Sequence, residues 1–224
     1  MNLKSLLTPL AKAALVALCA GSGAAQATLT VYISHADFMA ALSSSGLDSF
    51  DDLDPTQSLG TPLNRTAGSY GYSASVGPSG GFWPAGTLGG DAWLSASQPT
   101  DSISFSAFSG GVNAVGGNFF GNDLYGDVTP TQTIRVSASD ADGNKTISVL
   151  NPGKNAFLGF VSNGAISSLQ VWVGVQGSGE TDVWPAINNL TLGSVAAVPE
   201  PQTYALMLGG LGLLGFMARR KKQA

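Results

Sequence analysis

The segment Asp101-Ser-Ile-Ser-Phe-Ser-Ala-Phe108 alternates apolar and polar side chains, placing Ile103, Phe105 and Ala107 on one face and serines on the other. Thr131 to Ala138 repeats the pattern with Ile134, Val136 and Ala138. Strand side chains point to opposite faces in turn, so a period of two commits the chain to antiparallel sheets with one buried and one solvated side. Further strands are expected at Thr28–Ile33, Ser69–Ser75, Ala92–Ala96, Val112–Phe120, Lys145–Leu150, Ala156–Val161, Ile166–Gln176 and Ile187–Gly193. Turns rich in Gly, Asn and Pro separate them, as in Asn151-Pro-Gly-Lys154. About ten short strands at this spacing predict an all-β fold, an antiparallel β-sandwich of jelly-roll type. One short helix near its start is expected after the cap Ser34-His-Ala-Asp37, with Phe38, Ala41 and Leu42 on one face and Gly46 as its stop.

The ends of the chain read differently. Lys4 and Lys12 precede the apolar run Ala13–Ala20, and Ala25-Gln26-Ala27 supplies small residues for cleavage after Ala27. That order of charged, apolar and small regions predicts a cleavable signal peptide over 1–27, because the apolar part falls short of the roughly 20 residues needed to span a bilayer. Residues 28–194 then form the β-sandwich domain and 195–224 a terminal appendage. Cys19, the only cysteine, leaves with the signal peptide, so the mature protein has no thiol. Between 28 and 198, four basic residues face thirteen acidic ones and leave nine net negative charges. Such a surface repels phosphate backbones, which argues against nucleic acid and leaves cations and neutral sugars as partners.

Little in the domain reads as catalysis. Gly77-Pro-Ser-Gly-Gly81 matches a nucleophile-elbow pattern by letters, but Pro84, Gly86, Gly89 and Gly90 forbid the helix that must follow Ser79. His35, the single histidine, sits at a helix start, where solvent is its expected neighbour. Glycoside hydrolysis requires two opposed carboxyls. Glu180 and Asp182 could face one way, while adjacent Asp51 and Asp52 point apart, and the hydrolase remains the weaker alternative. Asp140, Asp142 and Asn144 bring hard oxygens together as calcium would require, yet Asp142-Gly-Asn144 equally suits a tight hairpin. Trp172 lies opposite the aliphatics of Leu169-Gln-Val-Trp-Val-Gly-Val175, on the face of Gln170, where it could stack on a sugar ring or be covered by another segment. Trp83, Trp93 and Trp184 carry no phase information.

The chain closes with Val198-Pro199-Glu200-Pro201, an apolar stretch from Tyr204 to Ala218 interrupted by Gly209, Gly210, Gly212 and Gly215, and the cations Arg219, Arg220, Lys221 and Lys222. As a helix the stretch would reach roughly 22 Å, a marginal fit to a hydrocarbon core of about 30 Å. The basic end holds the C-terminus inside while the exported domain lies outside. These three parts in this order resemble the PEP-CTERM sorting signal of exported proteins of Gram-negative bacteria. The resemblance implies an exosortase, a membrane-embedded cysteine protease that recognises the Pro-Glu-Pro region and processes the tail after transient insertion in the inner membrane. It further implies export machinery upstream and release to the cell surface or an extracellular matrix, commonly one rich in exopolysaccharide. Tyr32–Phe38, Phe50–Leu53 and Ile187–Leu192 are similar to the ends of jelly-roll domains common among such proteins and among carbohydrate-binding modules, with Asn188 and Asn189 where that closing motif often carries Asp. The expected function is that of a surface or biofilm-matrix protein with a structural or adhesive role and no catalysis. A carbohydrate-binding module using Trp172 or other aromatics is the alternative.

Overall fold

A computed structural model describes residues 28–130, 133–174, 182–196 and 207–212. The chain divides into one unit of Ala27–Ala197 and another made of Met1–Gln26 with Val198–Ala224. In the first unit the elements follow as β1 (Thr30–Tyr32), α1 (His35–Ala41), β2 (Ser44–Asp48), β3 (Leu59–Gly60), β4 (Leu63–Ala67), β5 (Tyr70–Gly77), β6 (Gly81–Phe82), β7 (Ala85–Gly86) and β8 (Ala92–Ser95). They continue as β9 (Ser102–Ser106), β10 (Ala114–Asn122), β11 (Thr133–Ser139), β12 (Asn144–Leu150), β13 (Phe157–Val161), β14 (Ser168–Val173) and β15 (Trp184–Ser194).

One sheet has six strands in the order β12-β11-β14-β9-β5-β4, and the other has seven, β1-β13-β10-β15-β8-β7 with β2 also on β15. Every pairing in the two sheets is antiparallel. From β9 onward the chain passes back and forth: β9, β11, β12 and β14 join the first sheet, and β10, β13 and β15 the second. Ile103, Phe105, Val136 and Val171 of one sheet share an apolar core with Val115, Phe119, Leu158 and Leu190 of the other. The result is a sandwich-like pair of antiparallel layers, with β3 and β6 as a separate two-stranded piece.

Local sequence explains most of the strands. Burial alternates along β9 and β11 as the period of two requires. Ala107, expected inward, is exposed with φ of 51°, because the chain turns out of β9 at Ser106 and Phe108 packs on the core instead. The long β10 is buried on both faces, since Phe119 points into the main core and the adjacent Phe120 into a second cluster with Trp93, Ala85 and Ala186. Opposite Gly117 of β10, β15 carries two residues instead of one, Asn189 with φ of 55° and Leu190. Asn tolerates that left-handed backbone better than most side chains. This bulge lies just past the part of β15 that pairs β8, at Ala186 and Ile187, and its Leu190 begins the part that pairs β2.

The helix starts as expected: Ser34 Oγ accepts from the Asp37 amide at 3.3 Å, and Phe38 is fully buried. Ser34→Ala should cost about 1 kcal/mol, measurable by urea denaturation. The expected stop is corrected. Helix α1 ends at Ala41 and Leu42 caps it, while Gly46 lies within β2. A Cβ on Gly46 would sit 1.9 Å from the Ala67 carbonyl oxygen, so the glycine serves a close backbone approach to β4 and not a helix terminus.

In the second unit, residues 207–212 are helical. Among the described residues no helix is long and apolar enough to cross a membrane. The expected spanning helix over Tyr204–Ala218 is therefore not borne by the described residues. Its remaining parts, like the signal peptide of 1–27 with Ala25 and Ala27, lie outside them.

Candidate functional site

The ends of β8, β10 and β15 meet the segment between β6 and β7 around a groove of about 500 Å³. Trp83 follows β6 directly and Trp184 opens β15 opposite Asn122, the last residue of β10. Both indoles line the groove together with Tyr125, Asn122, Thr56 and Ser97. Trp83 is 50% exposed and Tyr125 88%, so these rings meet solvent and not the core.

Two turns closed by aspartate contribute to the lining. Asp123 Oδ1 accepts from the amides of Tyr125 at 2.8 Å and Asp127 at 2.9 Å, which closes the loop after β10. Asp54 Oδ1 accepts from the Thr56 amide at 2.8 Å and the Thr56 hydroxyl at 2.6 Å. The Thr56 hydroxyl, then its amide, hold the Asp54 carboxyl below the ordinary carboxylate range. Such side chain to backbone bonds fix a turn without neighbouring secondary structure. On the groove wall Asn122 is buried, its Nδ2 donates to the Asp123 carbonyl at 2.8 Å, and its Oδ1 has no partner among the described residues.

Trp172 keeps the face expected of it but lies apart from this groove. It stands on the outer side of β14 beside Gln170, half-buried, opposite Ser102 and Arg135 on the neighbouring strands. Trp93 is buried edge-on against Phe120 at 5.5 Å, with Lys154 Nζ 4.8 Å from its ring centre. The groove escaped sequence reasoning because Trp83, Tyr125 and Trp184 come from three distant segments. The signal available was the tryptophan-proline pair at Trp83, just past β6, and again at Trp184, the first residue of β15.

The other sequence candidates are mostly held in turns or pairs. Asp140 Oδ1 accepts from the amides of Asp142 and Gly143, and Asp140 Oδ2 from the Ser162 hydroxyl at 2.8 Å. Asn144 pairs with Ser139 as the first residue of β12, so the Asp140, Asp142 and Asn144 segment forms the β11–β12 hairpin. Among the described residues no group of three or more His, Cys, Asp or Glu is placed to hold a metal. Ser79 donates to the buried Asp101, whose other oxygen accepts the Ser79 amide at 3.0 Å. His35 lies edge-on to Phe157 at 5.1 Å. Asp51 accepts from the Ala92 amide while Asp52 pairs with Arg65, so the two adjacent carboxylates serve different partners. Asn188 donates to Asp91, which also pairs with Lys154. Glu180 lies outside the described residues.

A family model described as the PEP-CTERM protein-sorting motif matches residues 197–221. The chain carries a PEP-CTERM sorting signal. The match takes in Val198, Pro199, Glu200 and Pro201 together with Arg219, Arg220 and Lys221, and stops one residue before Lys222. A PEP-CTERM signal implies export to the cell envelope or surface and processing by exosortase, a membrane protein. No curated protein matches the chain.

Proposed function

We propose that this is an exported surface or matrix protein whose jelly-roll-like β-domain is adhesive and whose tail serves only for sorting. The observation that carries the reading is the PEP-CTERM match confined to 197–221, behind a separate β-domain of Ala27–Ala197. On this reading the signal peptide is cleaved after Ala27 and the tail inserts transiently in the inner membrane. Exosortase then acts near Val198–Pro201, and the domain is left in a biofilm or exopolysaccharide matrix. The mass of protein recovered from producing cells should lack Leu206–Lys222, and replacing Pro199, Glu200 and Pro201 with alanines should leave the tail attached. A mature mass that retains the tail would refute processing and leave a plain anchor.

The exposed rings of Trp83 and Tyr125 at one groove favour a second, compatible reading, that the domain adheres by binding carbohydrate. An aromatic face offers the apolar side of a pyranose a large contact area. A binder and not a hydrolase is proposed: release of reducing sugar from polysaccharide by the purified protein, abolished in Glu180→Gln, would overturn that choice.

A further inference from the structure

Resting on the carbohydrate-binding reading, we propose that the groove takes a neutral polysaccharide, stacked on Trp83 and Tyr125, and that Asp123 is the positioning residue for Tyr125. Three features of the groove support this. First, Tyr125 projects from a loop that its own backbone hydrogen bonds hold shut: Asp123 N–H donates to the Asp127 carbonyl at 2.9 Å, Gly126 N–H to the Asp123 carbonyl at 3.1 Å, and both the Tyr125 and Asp127 amides to Asp123 Oδ1. Gly126, at φ of 86°, closes the loop in a conformation few side chains accept, and a Cβ there would meet the Ala85 methyl at 3.0 Å. The loop is thus seated against β7 before any ligand arrives. A loop backbone already fixed in place loses little entropy on binding, which is where a shallow site gains affinity.

Second, the described residues lining the groove include no Lys, Arg or His, and the one carboxylate among them is Asp123. The surrounding domain is strongly acidic. An anionic glycan or an anionic lipid surface would meet a repulsive field and find no cation to pair with, at least within a Debye length. Third, the polar lining that solvent reaches includes Thr56 and Ser97, whose hydroxyls suit sugar hydroxyls, while Ser95 and Asn122 are buried behind it. Apolar platforms combined with uncharged polar groups match an uncharged sugar chain.

The test is calorimetric titration of the purified exported protein with cellohexaose, mannohexaose and hexagalacturonate, and sedimentation with phosphatidylglycerol vesicles. A neutral hexaose should bind and hexagalacturonate and vesicles should not. Trp83→Ala and Tyr125→Ala should each weaken binding about 10-fold, a loss of about 1.4 kcal/mol, while Tyr125→Phe keeps it. Asp123→Ala should also weaken binding, yet add nothing in the Tyr125→Ala background, because it acts through that ring. An additive Asp123→Ala effect would overturn the positioning role, and tighter binding of hexagalacturonate or of vesicles would overturn the neutral ligand. If Trp172→Ala abolishes binding while Trp83→Ala and Tyr125→Ala do not, the groove falls but carbohydrate binding stands. Failure to bind any glycan overturns both and leaves the sorting of the protein untouched.

Discussion

Arg65→Met is expected to remove about 3–5 kcal/mol of stability from the β-domain, lowering its melting temperature by about 10 °C for a unit of this size. The cause is Asp48, a buried carboxylate on β2. Arg65 of β4 grips it with Nε at 2.7 Å and Nη2 at 2.8 Å, Tyr72 of β5 donates to it at 2.6 Å, and the Phe50 amide at 3.1 Å. Arg65 also reaches Asp52 at 2.6 Å and lies 5.4 Å from the centre of the Phe50 ring. Without the guanidinium, a charge remains in the interior with only two donors, which is far costlier than losing both partners. The double variant Arg65→Met with Asp48→Asn should therefore recover part of the loss. A cost under about 1 kcal/mol for Arg65→Met, the range of a surface pair, would show that water already screens this one.

The same network sets the response to pH. Hydrogen bonding from Arg65 holds the Asp52 carboxyl below its ordinary 3.8, against the opposing effect of partial burial. A carboxylate lowered in the folded state supports the fold above its unfolded value and withdraws that support as pH falls through the folded one. Acid unfolding below about pH 4 should thus be less steep in Arg65→Met, by a small amount because Asp52 is largely exposed. Burial, then the charge of Asp48, pushes the Tyr72 phenol well above 10.0. Its stabilisation is complete below that value and is lost as pH rises beyond it, since the unfolded chain releases the proton first.

Gly46→Ala is the second large effect, with an expected loss of about 3 kcal/mol, the upper end for overpacking. The new methyl would lie 1.9 Å from the Ala67 oxygen, 2.5 Å from its carbonyl carbon and 2.9 Å from the Gly68 Cα, all backbone atoms that no rotamer change can move. Relief requires separating β2 of the seven-stranded sheet from β4 of the six-stranded one, the joint that Asp48 and Arg65 also clamp. Gly60→Ala is the control, because a Cβ there meets nothing within 4 Å. Urea denaturation compares the two. Equal stabilities would mean that β2 and β4 part freely and that the joint contributes nothing.

Short-range pattern made much of this fold legible. The alternation at Ile103 and Phe105, and at Ile134 and Val136, reports which side chains need burial, and each of those residues is buried. The Ser34 cap was equally local, since its bond spans three residues. Strands β2 and β4 were not legible, because Ser44–Asp48 carries no apolar alternation and exists as a strand through its pairing with β15. Nothing local in the sequence marks Asp48 and Arg65 as partners either, since their pairing joins two strands 17 residues apart. Of the candidate site, Trp172 could be assigned a face because β14 has a phase, whereas Trp83, Tyr125 and Trp184 are brought together only by where three strands end.

The sequence alone determined the sorting signal, an antiparallel β-rich domain and its acidic surface, because each depends on composition or on residues near one another in the chain. Tertiary structure decided which carboxylates are structural, why Gly46 must be glycine and where the exposed aromatics converge. Those depend on contacts between segments far apart in sequence, and no periodicity records how closely two backbones will approach.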